Sequence, residues 1–511
     1  MLKNSVRLAG TLRSSGSIRL TPNANAVATR LAAAAAGNGL KTIVFVNAKL
    51  DAVRVAQEIS ASLDLSVEFT EVERSRWEAL EVELGGQRHS FLSGPSAAVP
   101  HNSAMLRLER DVAERMFKRP NGARVIVATP TLAQGLNLPA QLAVLAGDKR
   151  ADLVNGGRED LKAHEILNAA ARAGRAGHLA NGLVLMIPEP IISFTPNEPL
   201  DADVIEKLKA VLPEDDHCVT VTDPLEFVLD RLTVGAVNDP DVRYVINRMS
   251  ALRDADGAEE PSQLFDLRKS FGAYSASNRS AEKDFDHKVA ALKKAVADQS
   301  VGEVEETIAI LATRSGLSVP VLVSLRDRIS NEIGTLPESI EDWLTWVIGW
   351  LIEDDDARAT LLQDIAGSIL SACGKKKDAE VGKVELQHIL LGLLAWVKGE
   401  PFNMIEEVLG GEPNAAAFTK RTCPRARELA SSIVPRGISF ITGLVAQIVI
   451  EIAPFEAQPS LDKQVIECLG SAVRKGFDTV GKLFFAAENP TILSRVQVHR
   501  VWREQRTPNL E

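Results

Sequence analysis

Cysteine is scarce in this 511-residue sequence: Cys218, Cys373, Cys423 and Cys468 stand far apart and form no CxxC pair. That spacing excludes a disulfide framework, and it leaves His217 and Cys218 without a second ligand pair at zinc spacing. The thiols read as reduced, partly buried groups of a cytoplasmic protein, and no metal site is expected. Aromatics are also few, 5% of residues with two tyrosines, while alanine is abundant, so helices should dominate. Long apolar runs are nearly missing. The one that invites a membrane test, ISFITGLVAQIVIEIAPF (438–455), sits near the lower length limit for a span and carries Gln447 and Glu451. It reads as a buried helix of an all-α domain, and no membrane partner is expected.

A further absence bears on chemistry. No segment matches G-x-x-x-x-G-K-[ST], the loop that cradles nucleotide phosphates between a strand and a helix. GNGLKT (37–42) comes nearest, but its Lys41 and Thr42 run into a strand. EDDDAR (353–358) is acidic, yet it ends a Trp-rich helical stretch and reads as a solvated face.

What remains is an ordinary globular composition, 45% apolar and 25% charged, in a chain long enough for two to four domains. Charge is uneven. Residues 1–200 carry a net +4, the first 50 hold seven basic side chains and no acidic one, and the remainder carries −14. A positive first third can face phosphates while the acidic remainder does not. The Arg- and Ser-rich, acid-free start MLKNSVRLAGTLRSSGSIRL has the composition of an organelle transit peptide. The alternative is an interdomain strand or linker, and the motifs below favour it.

Periodicity divides the chain. Helices are predicted over 23–36 and 50–62, and from about 104 to 117. Short apolar runs at 41–48, 66–70, 96–100, 124–129, 141–147 and 183–188 read as strands. Strands alternating with helices argue for a parallel sheet covered on both faces, α/β in class, over about 20–190. PEPIISFTPNEPLD (188–201) is a proline-rich connector. Beyond it the pattern is almost wholly helical, as in 204–212, 223–232 and 284–297, with a charged linker at 251–262 and a second helical block from near 318. The expected division is a linker or N-terminal strand at 1–22, an α/β lobe at 23–190, a connector and helical segment at 191–260, and an all-α region at 261–511.

A parallel sheet places ligands at the carboxyl ends of its strands. Asn47 lies just past one strand, His101 and Asn102 past another, and Thr129, Thr131, Gly135 and Asn137 past a third. Small polar groups there suit phosphate contact, although each alone is equally a turn or cap residue. HEILNAAARAGRAGH (164–178) adds Arg172 and Arg175, three apart. Two guanidinium forks at that spacing can hold a phosphate chain.

In order and spacing, TIVFVNAKLDAVRVAQEI, the stretch from VPHNS through VATPTLAQGLNLPA, and ILNAAARAGRAG resemble motifs IV, V and VI of superfamily-2 helicases. The nearest branch is the superkiller-type and archaeal-repair group of DEAD-like enzymes. The resemblance covers about 20–190 and implies a second RecA-like lobe. It implies that Arg172 and Arg175 reach nucleotide phosphates, and that Gly135, Asn137 and Asn168 lie on the nucleotide side. It likewise implies that Asn47, His101, Thr129 and Thr131 lie on the strand-binding side. Two positions depart from the family pattern: Asn168 stands where glutamine is usual and Ala171 where glycine is usual.

Such enzymes hold ATP and Mg2+ mainly through a first lobe, with its phosphate loop and acidic box. The resemblance therefore implies DNA or RNA as partner, and a separate protein or upstream segment carrying that lobe. The alternative is a non-catalytic nucleic-acid-binding or scaffold protein derived from a helicase.

In the C-terminal half, Trp343, Trp346 and Trp350 share one helix face, suited to core packing or to stacking on bases. The Trp396–Gly399 turn is loosely similar to segments of related bacterial helicases. The four basic residues of RTCPRARELASSIVPRGISFITGL (421–444) are expected to be solvated, or to touch nucleic acid.

Overall fold

The computed structural model describes residues 24–129, 138, 140–147, 149–151, 158–160, 182–187, 224–236, 239, 241–246, 248–249, 267–278, 281–298, 306–376, 379–413, 422–453 and 461–506. Among these, strands β1 (Thr42–Phe45), β2 (Ala98–His101), β3 (Val125–Ala128) and β4 (Leu142–Ala146) are followed by β5 (Lys149–Ala151), β6 (Arg158–Asp160) and β7 (Leu183–Ile187). Five of them form one parallel sheet in the order β2-β3-β1-β4-β7, while β5 and β6 pair antiparallel on their own.

The apolar runs explain the sheet. Successive residues of a strand point to opposite faces, so a strand buried on both faces must be apolar throughout. In β1, Ile43 and Phe45 join one core, and Val44, with Val46 just beyond the strand, joins another. Helices α1 (Ala24–Gly37) and α2 (Lys49–Ser62) cover the Val44 face. Helices α3 (Glu71–Leu84) and α4 (Arg107–Lys118) cover the Ile43 face. Pro100 sits in β2, an edge strand, where a missing N–H costs least.

One expected strand is absent. SVEFT (66–70) is extended coil, because Thr70 is used as the cap of α3. Its hydroxyl accepts from the Glu73 amide at 3.3 Å while the Glu73 carboxylate accepts from the Thr70 amide at 2.9 Å. This reciprocal capping box starts a helix rather than a ladder.

GNGLKT is structural in this fold. The buried Lys41 ammonium donates to the carbonyls of Phe117 (2.7 Å), Arg119 (2.8 Å) and Ala123 (2.6 Å), closing the C-terminal end of α4. Burial, with Arg124 and Arg119 nearby, draws its pKa down to about 8.

After the sheet the described chain is helical. α5 (Pro224–Thr233), α6 (Phe271–Asn278) and α7 (Glu282–Asp298) share a small core of their own. α8 (Glu306–Ser315), α9 (Val319–Asn331), α10 (Ile340–Glu353), α11 (Asp355–Leu361) and α12 (Ala366–Ala372) follow. Then come α13 (Lys383–Val397), α14 (Phe402–Val408), α15 (Pro424–Ile452), α16 (Lys463–Lys475), α17 (Val480–Glu488) and α18 (Arg495–Arg506).

α15 is long and apolar enough to cross a membrane by length and composition, and 61% of its most apolar window is buried inside the protein. It passes through a π-helical stretch, Leu429–Ile438, that contains Pro435. A proline removes one backbone donor, and the widened turns accommodate it.

On α10, Trp343 and Trp350 are fully buried in the core, and Trp346 is half-buried with Arg328 over its ring at 5.2 Å. Trp343 and Trp350 therefore offer no stacking face. The Trp396 indole donates to the Val473 carbonyl at 2.9 Å, and Gly399 takes φ +84 against the His499 ring, where a Cβ would stand 2.4 Å from it. EDDDAR serves locally: Asp354 caps α11 by accepting from the Ala357 amide at 2.9 Å.

The sheet lobe and the helices from α8 onward share one core, and two buried ion pairs fasten them. Arg427 of α15 meets Glu109 of α4 through two hydrogen bonds, at 2.7 and 2.8 Å. It also donates to the carbonyls of His89 (2.8 Å) and Thr422 (2.7 Å) and lies over the Phe91 ring at 4.3 Å. Arg495 of α18 meets Glu83 of α3 at 3.1 Å and covers the Trp396 ring at 4.2 Å. The expectation that the basic residues of 421–444 are solvated fails at Arg427, whose buried guanidinium is satisfied by a carboxylate and three carbonyls.

Candidate nucleic-acid interface

The carboxyl ends of β1, β2 and β3 lie level. Phe45 of β1 and His101 of β2 both pair with Ala128 of β3. The ladder continues one step further, with the Val46 amide donating to the Ala128 carbonyl (2.8 Å) and the Thr129 amide to the His101 carbonyl (3.3 Å). Register alone therefore brings Asn47, His101, Asn102 and Thr129 to one edge of the sheet, the edge where α/β folds bind ligands.

The side chains differ in availability. Asn47 is half-buried in the bend between β1 and α2. His101 is buried, its Nε2 3.1 Å from the Glu114 carboxylate on α4. Burial raises the Glu114 pKa, but hydrogen bonds from His101 and Lys118 outweigh it and hold the carboxyl below its ordinary value. Asn102 is buried and bridges two loops. Its amide nitrogen donates to the Lys49 carbonyl at 3.1 Å, and its oxygen accepts from the Ala104 amide at 2.9 Å. Thr129 is buried where β3 ends.

Asn102 thus pins the start of α2 against the β2–α4 loop, which fixes the backbone around Asn47 and His101. Sequence pattern placed Asn102 at the right strand end but could not show this bridge, which spans 53 residues. The edge can present backbone and small polar groups to a phosphate chain, with Asn47 as its most accessible side chain.

Thr131, Gly135, Asn137, Asn168, Arg172 and Arg175 lie outside the described residues. Among the described residues no group of three or more His, Cys, Asp or Glu side chains could hold a metal ion. Lys41, the one lysine near a loop of nucleotide-binding type, is committed to three carbonyls. The described residues therefore do not fit Mg2+ or a β-phosphate.

No protein-family model matches the chain. Three curated proteins illustrate what it resembles. Activating signal cointegrator 1 complex subunit 3 of Dictyostelium discoideum is 32% identical over 142 residues, 27% of this chain and 6% of that protein. A DExH-box ATP-dependent RNA helicase of Arabidopsis thaliana is 26% identical over 202 residues, 37% of this chain and 9% of that protein. The ATP-dependent DNA helicase Hel308 of Pyrobaculum calidifontis is 32% identical over 184 residues, 34% of this chain and 25% of that protein. The chain's relatives are superkiller-type helicases of superfamily 2. The matched regions span a quarter or less of these three relatives' own length. The five-stranded parallel sheet with its helical continuation agrees with a RecA-like α/β lobe followed by a helical region.

Proposed function

We propose that this chain supplies the C-terminal part of an ATP-dependent nucleic-acid helicase or translocase. The observation that carries the reading is the level edge of β1, β2 and β3, with Asn47, His101 and Thr129 gathered on it, in a chain whose relatives are helicases.

In this reading the edge forms half of a strand-binding groove. Asn47, Thr129 and Thr131 contact the backbone of DNA or RNA, and His101 positions the loop before α4 through Glu114. Arg172 and Arg175 reach as arginine fingers to phosphates of a nucleotide that, with its Mg2+, is held mainly by a first lobe. Gly135, Asn137 and Asn168 stand beside that nucleotide. The first lobe comes from a separate protein or an upstream segment, since these 511 residues contain no phosphate-cradling loop. Two buried ion pairs join the lobe to the helical region, so in this reading closure against a first lobe carries the helices with it.

The test is nucleic-acid-stimulated ATP hydrolysis by the purified chain, with and without a protein carrying a first lobe. Background turnover alone and activity in the mixture, lost on Arg175→Ala, support the reading. Strand binding with no ATPase in any mixture would favour a scaffold derived from a helicase.

A further inference from the structure

A cleft of about 1140 Å³ lies between α3 and α4 of the sheet lobe and the last three helices, α16 to α18. That is somewhat larger than the ~300–1,000 Å³ of small-molecule pockets. It is not the strand-end edge that carries Asn47 and Thr129.

The charges on its walls do not cancel. Glu83 is neutralised by Arg495, Asp111 is shared between Arg76 and Arg115, and Glu114 is bound by Lys118. Arg107, Arg110, Arg474 and Lys475 remain on the lining with no carboxylate partner among the described residues. The Arg110 Nε is buried and has no hydrogen-bond acceptor. This surplus of positive charge stands in a chain of net charge −10.

Helix stability does not explain all four. Arg474 and Lys475 occupy the last turn of α16, where the helix dipole favours cations. Arg107 and Arg110 occupy the first turns of α4, where the same dipole opposes them. Glu109, the acid of that turn, is already consumed by Arg427. Four unpaired cations facing one cleft, two of them against the dipole, fit an anionic chain. Between the walls lies apolar surface from the half-buried Leu108, Leu483 and Ile492. Unpaired bases can cover such a surface, whereas a duplex hides its bases in the stack.

We propose that this cleft binds single-stranded nucleic acid, with phosphates on Arg107, Arg110, Arg474 and Lys475 and bases over the apolar surface between them. The proposal rests on the reading that the chain handles nucleic acid, and it adds a second contact site, whose lining includes neither Asn47 nor Thr129. A strand held at both places would be gripped across the junction of the two parts.

The test is fluorescence anisotropy of the full chain with labelled oligothymidylate and oligouridylate across a salt series. The variants are Arg107→Ala/Arg110→Ala and Arg474→Ala/Lys475→Ala, the second pair being exposed, and circular dichroism checks folding. Each phosphate contact to a single strand contributes about 0.7 to the slope of log affinity against log salt. Each double variant should therefore flatten the slope by about 1.4 and weaken low-salt binding about tenfold. Wild-type binding that neither double variant changes, but that Asn47→Ala weakens, overturns the cleft and leaves the functional reading standing. A wild-type chain that binds neither oligomer at low salt overturns both. Equal displacement of the oligomer by polyglutamate overturns the assignment to nucleic acid.

Discussion

Replacing Arg427 by methionine tests whether the sheet lobe and the helical region are one mechanical unit. Arg427 is 4% exposed and its partner Glu109 is fully buried. Methionine keeps the apolar stem but strands the carboxylate. Glu109 would retain the amides of Phe91 (2.9 Å) and Leu106 (2.7 Å) and lose both guanidinium contacts. The carbonyls of His89 and Thr422 would lose a donor as well. Removing one partner of a buried pair costs about 3–5 kcal/mol, because the remaining charge is uncompensated.

A chain of several parts need not unfold in one step, so the effect should be read locally by hydrogen exchange over 104–118 and 422–434. At ~1.4 kcal/mol per tenfold, protection there should fall by at least a hundredfold. α1 and α2, on the other face of the sheet, should keep theirs. Adding Glu109→Gln should recover part of the loss, since an amide is less costly to bury than an unpaired carboxylate. A loss under ~1 kcal/mol, in the range of surface ion pairs, would refute the idea that this contact joins the two parts.

Three other outcomes follow. Glu406 accepts from the Arg425 and Ala426 amides at 2.8 Å with one oxygen, while its other oxygen is buried without a partner, and burial raises its pKa. A raised folded pKa gives stability that is complete below the ordinary glutamate value of 4.5 and is lost as pH rises through the folded value. Glu406→Gln should therefore hold or gain stability at neutral pH, with a gain that shrinks toward acid. Thermal melts across pH check this, and a pH-independent loss contradicts it. Lys41→Met should cost about 2–4 kcal/mol by leaving three carbonyls unpaired, with nucleotide affinity in the reconstituted assembly unchanged; lost nucleotide binding without lost stability would mean that GNGLKT serves the nucleotide after all. Arg172→Ala should depress turnover in that assembly about as strongly as Arg175→Ala, measured by phosphate release, and activity unaffected by both would remove them from the nucleotide site.

The sheet was legible because β1 to β4 are buried on both faces, and continuous apolar runs such as 41–48 and 124–129 have few other readings. Spacing put the α10 tryptophans on one face and left core packing and base stacking open; the burial of Trp343 and Trp350 decides for the core. SVEFT misled because Phe69 and the β-branched residues favour a strand, while the Thr70–Glu73 cap, which needs only local geometry, decided for a helix. α3 was hidden for a related reason. It buries Glu73 and Glu83, acidic residues that look like a solvated face until Arg119 and Arg495 supply their partners.

The pairing of Arg427 with Glu109 joins residues more than 300 apart, and no local pattern could show it. The strand-end edge was half legible. Strand ends placed Asn47, His101 and Thr129 near one another, but only the register shows them level, and only the Glu114 and Lys49 contacts show His101 tied to α4 and Asn102 to the start of α2.

The most direct test of the central claim is the steady-state ATPase of the purified 511-residue chain in the presence of single-stranded DNA or RNA, alone and with a protein carrying a first RecA-like lobe. The account predicts no turnover above background from the chain alone, and strand-stimulated turnover in the mixture that disappears with Arg175→Ala. Robust strand-stimulated hydrolysis by the chain alone would contradict it.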